Sequence, residues 1–456
     1  MVPTLLVRNA RTIVTLDPAG TCLHDSSLYV EDSRIRAIGS EAANMPADVV
    51  VDASGHIVYP GLISTHHHLY QCLTRNVPRA QNARLFDWLK TLYQLWRGLQ
   101  PEDVYLSAQV ALGELLKSGC TTATDHFYTF PRSAPDDLLD WEIRAAQELG
   151  IRFHPTRGSM NRGESDGGLP PDDLTQSAEA ILRDTRRVVE TYHDPSPLAM
   201  LQIGVAPCSP FSVTGELMRE SARLARAYGA RLHTHLAEDR NEDEYCLQTY
   251  GQRPLAYAAS CEWLGPDVWF AHGIHFDDQE IRLLSETRTG VCHCPTSNMK
   301  MAAGTCRVPD LRAAGVPLGL GTDGSASNDT SNMLLEARMA LLLQTHAHGP
   351  TALSAEDALR LATLGGAALL GREAALGSLE IGKAADMFLV DASQLAFAGG
   401  LHDDVALPLL TGAGLPVATT IVHGKVVVSG GRLVGVDEER LADQAQAAAD
   451  RLVNRC

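Results

Sequence analysis

The ten cysteines of this 456-residue chain include no CxxC pair and no spacing that frames a set of disulfides. That absence sets aside zinc ribbons, thioredoxin-type redox motifs and small disulfide scaffolds. The nearest pair, Cys292 and Cys294 in GVCHCPTSN, reads as two ordinary thiols in or near a strand. Basic runs are missing too. With 38 Lys plus Arg against 55 Asp plus Glu the formal charge is −17, and nothing offers a stripe for nucleic acid or an anionic membrane. No apolar stretch approaches the ~18 residues a transmembrane helix needs. The opening MVPTLLVRNARTIVTLD alternates like a strand and lacks the basic, apolar and small-residue blocks of a secretory signal. Internal repeats and low-complexity tracts are absent as well. The expectation is a soluble, cytoplasmic protein with a small-molecule partner, and with neither nucleic acid nor membrane.

With 45% apolar residues the chain can bury a large core. Between about residues 59 and 367, short apolar or β-branched runs alternate with amphipathic helical patterns, the sign of parallel βαβ units. The strand candidates are GLISTHHH, CTTATDHF, IRFHPTRG, AMLQIGVAP, ARLHTHLAE, VWFAHGIH, TGVCHCPT and VPLGLGTDG. Between them lie helical patterns such as PEDVYLSAQVALGELLKSG, stopped at Gly119, and TGELMRESARLARAYG. Eight such units in series make a (β/α)8 barrel. The flanks read as short strands and hairpins at both ends. The expected layout is therefore a barrel at 59–367 and a small β-sandwich-like domain built from 1–58 plus 368–456, closed by a helix at LADQAQAAADRLVNRC. A Gly-, Pro- and Asp-rich loop, Gly158 to Asp173, follows the third strand and reads equally as a surface loop or as a wall or lid over a substrate.

In PGLISTHHHLYQCLTR, strand parity sends His66 and His68 to one face and His67 to the other. At the C-terminal end of a barrel strand the shared face opens into the active-site mouth. The fifth strand puts His233 and His235 on one face, with His235 nearer the mouth and Glu238 on the rim, placed to carry protons. The sixth puts His272 and His275 on opposite faces, so at most one points in. Asp323 in GLGTDGSASND ends the eighth strand. Taken singly, Asp125, His126, His154, His233 and His293 read as hydrogen-bonded core residues. Three imidazoles and a carboxylate converging on one face suit a single Zn²⁺ or Fe²⁺ with room for water.

The strings PGLISTHHH, HTHLAE, FAHGIH, GLGTDGSASN and GSLEIGKAADMFLV resemble the amidohydrolase superfamily, in its cytosine, guanine and S-adenosylhomocysteine deaminase branch. The resemblance spans nearly the whole chain. It implies one divalent metal, Zn²⁺ ahead of Fe²⁺, held by His66, His68, His235 and Asp323. It also implies proton transfer by Glu238, a polarising His272, Asp323 doubling as base, and a homo-oligomer. Binuclear relatives carry a lysine on the fourth strand, and AMLQIGVAP has none. The cytidine deaminase fold, with its HxE and PCxxC zinc motif, requires the CxxC missing here.

HHHLYQCLTR, LFDWLKTLYQLW, TRGSM, GESDGGLPP, APCSPFSV and GVCHCPTSNM are most similar to the 8-oxoguanine deaminases of that branch. This implies a hydrolase of purine catabolism that turns 8-oxoguanine and water into urate and ammonia through metal-bound hydroxide. Gln71 matches the glutamine that guanine deaminases place against the purine. Cys208 stands where those enzymes carry an arginine, which disfavours plain guanine. Trp96 and Arg157 join Gln71 and Cys208 as candidate substrate contacts, although Trp96 on a helical pattern also fits the core. The alternative is a related aminohydrolase acting on another guanine-like heterocycle or a hydroxytriazine. A catalytically dead binding relative would have lost ligands, and a metal-storage role for the HHH run would bind several ions weakly.

Overall fold

The computed structural model describes residues 3–454. Eight parallel strands follow one another in chain order around one sheet. They are Leu62–Ser64, Cys120–Phe127, Arg152–Ser159, Gly204–Pro207, Arg231–Leu236, Val268–His272, Gly290–His293 and Leu318–Leu320. Seven of the eight quoted segments contain their strands and the third, IRFHPTRG, falls one residue short at Ser159, so the expected (β/α)8 barrel is the one observed. The first and last strands meet through Thr65 N–H to the Leu320 carbonyl (2.9 Å) and Asp323 N–H to the His66 carbonyl (3.1 Å). Helices outside and packed side chains inside bury both faces of the strands, which is why the strands lack the apolar–polar alternation of a half-exposed sheet even where they carry Thr, His or Asp.

Local chemistry starts and stops the helices as the sequence suggests. Pro101–Lys117 begins on a reciprocal Gln100/Asp103 cap with proline in its first turn. Gly119 follows it at φ 84°, where a Cβ would strike the Phe388 ring at 2.6 Å, so the tight return onto the second strand needs glycine.

Both chain ends supply the second sheet. Its nine mixed strands run from Thr4–Val14 through His56–Pro60 at one end and from Met387–Asp391 to Arg432–Leu433 at the other. The two sets join where His56–Pro60 pairs antiparallel with Met387–Asp391. A buried two-pronged ion pair from Arg152 to Asp386 (2.9 and 3.1 Å) ties this sheet to the third barrel strand. The last helix, Glu438–Asn454, packs on Pro101–Lys117 with Lys117 bonded to Glu438 at 2.8 Å. The expectations at the extreme ends also covered Met1, Val2, Arg455 and Cys456, which lie outside the described residues. Among those described, no helix is long and apolar enough to cross a membrane.

Candidate metal centre and active site

The first strand ends at Ser64, so the histidine run lies just beyond it in extended chain, yet the alternation persists. His66 and His68 enter the barrel mouth while His67 turns away. His67 does not reach solvent, however. It is fully buried, its Nε2 lies 2.9 Å from Ser331 Oγ, and burial pushes its pKa down to about 3. The opposite face here means towards the segment after the eighth strand.

Backbone carbonyls set the imidazole tautomers. His68 Nδ1–H donates to the His126 carbonyl (2.8 Å) and His235 Nδ1–H to the Cys208 carbonyl (2.7 Å). His233 Nδ1–H donates to the Trp269 carbonyl (3.0 Å), so its Nε2 is left to accept from His66 Nδ1–H at 2.8 Å. Burial holds all three front imidazoles below their ordinary pKa, and each presents a bare Nε2 lone pair. These lone pairs crowd together. His68 Nε2 and His235 Nε2 are 3.1 Å apart, while Asp323 Oδ1 lies 3.4 Å from His66 Nε2 and 3.3 Å from His68 Nε2. His66 Nε2 is buried with no hydrogen-bond partner. Lone pairs aimed at one point, with every second nitrogen committed behind them, are the arrangement a divalent cation relieves, so the donor set fits a metal ion. His126 lies flat against His235, with ring centroids 4.6 Å apart, and spends its Nε2 on the Ala206 carbonyl.

Asp323 is fixed from behind by Ser297 Oγ (2.6 Å) and Ser327 Oγ (3.1 Å) on Oδ2 and by Gly324 N–H (2.7 Å) on Oδ1. Burial alone would raise its pKa, but the His66 contact and the neighbouring imidazoles outweigh it and hold the carboxyl well below its usual range. Glu238 goes the other way. Burial, reinforced by Asp323 and Asp239, pushes it well above the carboxylate range, which favours its protonated form. Its backbone is clamped by Glu242, which accepts the N–H groups of Ala237 (3.0 Å) and Glu238 (2.9 Å). His272 donates from Nδ1 to Asn298 Oδ1 (2.9 Å), leaving a buried Nε2 at 3.5 Å from Glu238 Oε1. Ala237, His272 and Asp323 hold left-handed backbone at φ 54°, 73° and 60°, an uncommon conformation for residues with a Cβ.

A narrow cavity opens from this cluster. Trp88, Leu89, Tyr128 and Phe211 form its apolar walls, and Gln71, Cys208, Glu238, His272 and Asp323 reach it with His68 and His235. The Gln71 amide lies over Gly324, where a Cβ would meet its Oε1 at 2.0 Å, and that oxygen is buried without a partner. Two expected substrate contacts are not brought to the cavity. Trp96 is fully buried behind Tyr70 and Trp88, with its Nε1–H on Thr74 Oγ1 (3.1 Å). Arg157 projects to the outer face of its strand, where it pairs with Asp184 (2.8 Å) and lies over the Phe130 ring. The 158–173 loop is pinned by Asn161 and Arg162 N–H groups on the Ser212 carbonyl and by Leu169 N–H on the Phe211 carbonyl; it backs the wall instead of forming it.

A profile of the amidohydrolase family matches residues 57–427. The chain belongs to that family. It is 48% identical over 453 residues to an 8-oxoguanine deaminase from Pseudomonas aeruginosa, covering 98% of each chain. It is 38% identical to a hydroxydechloroatrazine ethylaminohydrolase from a Pseudomonas species, covering 99% of this chain and 96% of that one. Among solved structures, an atrazine chlorohydrolase from Arthrobacter aurescens complexed with zinc superposes with a TM-score of 0.93 at 31% identity, over 98% and 100% of the two chains.

Around the centre of this amidohydrolase stand residues that sequence reasoning did not single out as functional: Ser297, Asn298, Ser327, Glu242, and His233, which was read as core. Ser297 and Asn298 follow the seventh strand in the quoted CHCPTSNM, and position alone, just past a barrel strand's C-terminal end, was the available signal. Glu336 links two of these loops, accepting Thr296 N–H (3.0 Å) and Asn328 Nδ2–H (2.7 Å).

Proposed function

We propose that this amidohydrolase deaminates 8-oxoguanine, turning it with water into urate and ammonia. The choice of substrate rests on the 48% identity along 98% of the chain to an 8-oxoguanine deaminase. The pocket is consistent with it: apolar walls suit a flat bicyclic ring, and the unpartnered Gln71 Oε1 needs an N–H donor, which a ring lactam supplies.

His66, His68, His235 and Asp323 are the residues we assign to the metal, with Zn²⁺ preferred over Fe²⁺; when bound, such an ion acts as a Lewis acid that makes water nucleophilic near neutral pH. Asp323, braced by Ser297 and Ser327, takes a proton from the attacking water, and His272, held by Asn298, orients that water through its free Nε2. Glu238 enters the reaction protonated and donates to the ring nitrogen beside the carbon that bears the exocyclic amine. The carbon–nitrogen bond then breaks as the amine leaves with the proton held by Asp323, while Glu238 takes the proton of the adduct's hydroxyl, giving ammonia and the new carbonyl and restoring both carboxyls. Cys208, with burial pushing its thiol up to about 12, stays neutral and leaves room where an arginine would fill the pocket.

The second reading, a hydroxytriazine or other guanine-like heterocycle, is favoured by the 38% identity to the hydroxydechloroatrazine enzyme. Ultraviolet absorbance coupled to ammonia release decides between them, with 8-oxoguanine, guanine, isoxanthopterin and a hydroxytriazine offered in parallel. The expected result is kcat/KM highest for 8-oxoguanine. Preference for the triazine would transfer the assignment, and no turnover of any of the four would overturn it.

A further inference from the structure

A second cavity, of about 270 Å³, lies at the opposite end of the barrel, among His154, His193, Gln202, Arg231 and Arg372. Arg231 opens the fifth strand and His154 sits near the start of the third, which places the cavity at the strands' N-terminal ends. The metal centre occupies the other end. Nothing in the chemistry proposed above uses these side chains.

The unpartnered polar groups here are mostly donors in want of an acceptor. Arg372, only 4% exposed, gives Nη2–H to the carbonyls of Pro197 (3.0 Å) and Ala199 (2.7 Å), while its Nε and Nη1 have no partner. Arg231 donates from Nη2 to the Pro266 carbonyl and has an unpaired Nε; Gly371, at φ 65°, lets its guanidinium lie against the backbone where a Cβ would meet Nη1 at 2.3 Å. His193 accepts Ile203 N–H on Nδ1 (3.0 Å), so the neutral ring carries its proton on an unpartnered Nε2. His154 is 1% exposed with both nitrogens unpartnered. The nearby carboxylates are committed elsewhere. Asp386 takes Arg152, Asp267 takes Arg226 at 2.8 Å, and Asp194 accepts Ser196 N–H at 2.9 Å. Glu373 stands on the exposed rim.

We propose that this cavity binds a phosphate group, either as the free anion or as the monoester end of a small metabolite. Buried guanidinium donors without protein partners are costly, and a charged ligand that accepts on several sides satisfies them. A carboxylate brings one negative charge and one plane of oxygens. Phosphate brings up to two charges and acceptor oxygens in three dimensions, which matches two guanidiniums and two imidazole N–H donors from different directions. A cavity of this size favours phosphate with a small substituent over a nucleotide.

The test is calorimetric titration of the metal-loaded full-length protein with inorganic phosphate, glycerol phosphate and acetate. Phosphate is expected to bind with a Kd at or below about 1 mM and acetate at least about tenfold more weakly. Arg372→Gln would also release the 197–199 carbonyls and could unfold the segment, so the deciding variants are Arg231→Gln and His193→Ala. Each should weaken phosphate at least about tenfold, while Glu238→Gln at the far mouth leaves it unchanged. A glycerol phosphate Kd below that of inorganic phosphate names the monoester; the reverse ranking names the free anion. Absence of phosphate heat in the unmodified protein, or undiminished binding in both R231Q and H193A, overturns the proposal.

Discussion

The surroundings of Glu238 push its pKa up, and it lies 3.5 Å from the free Nε2 of His272, while no backbone donor or assigned metal ligand depends on its carboxyl. Glu238→Gln should therefore keep the full metal content, read by elemental analysis, while kcat for ammonia release falls by about 10²–10⁴, the range for loss of a positioned acid. Near-normal turnover would remove Glu238 from the reaction. His67 offers the complementary case. Its ring is buried against Ser331 and faces away from the imidazole cluster. His67→Asn is expected to hold metal stoichiometrically but to unfold at lower denaturant, by about 1–3 kcal/mol for the lost packing and hydrogen bond. Metal loss with an unchanged unfolding midpoint would contradict the face assignment.

At the scale of elements, helix Leu138–Leu149 brings Glu142 against Asp125 on the second strand, and Asp125 Oδ1 in turn receives the Leu69 N–H (2.6 Å) just after the histidine run. Burial pushes Asp125 up to about 8 and Glu142 well above its usual range. The unfolded chain gives up both protons near pH 4 and the folded chain retains them, so the pair costs nothing below that pH and costs progressively more as pH rises towards 8. Glu142→Gln removes one of these titrations. Its melting temperature relative to the unmodified protein should rise steadily between about pH 5 and 8. A pH-independent difference would mean that Glu142 is not titrating in the fold.

What could be read from sequence divides along the same physical lines. The eight strands were legible because short apolar or β-branched runs recur between helical patterns, and His66, His68, His235 and Asp323 stood out because they fall at or just past the C-terminal ends of such runs. Trp96 was misplaced as a contact because helix Leu85–Trp96 is buried on more than one side. Periodicity cannot tell which aromatic, Trp88 or Trp96, faces the cavity. Arg157 follows strand parity to the outer face of its strand, where Asp184 pairs with it away from the cavity. Ser297, Asn298 and Glu242 act through bonds between separate loops, which no local pattern encodes.

For the whole molecule, a metal ion would tie together the first, fifth and eighth strands, including the seam where the barrel closes. Chelation should abolish ammonia release and lower the melting temperature, because the ion binds the folded state and not the unfolded chain; Zn²⁺ should restore both. Full activity in metal-free protein would exclude the assigned role of the four ligands.

The left-handed backbone at Ala237, His272 and Asp323 has a bearing on how such a chain tolerates change. At each of these positions glycine would relax a conformation that costs roughly 1 kcal/mol or more; at Ala237 it would slacken the aim of Glu238, and at His272 and Asp323 it would remove the working side chain itself. Screens for heat resistance and screens for turnover will thus pull these three sites in opposite directions, and hardened variants that stay active should carry their substitutions elsewhere.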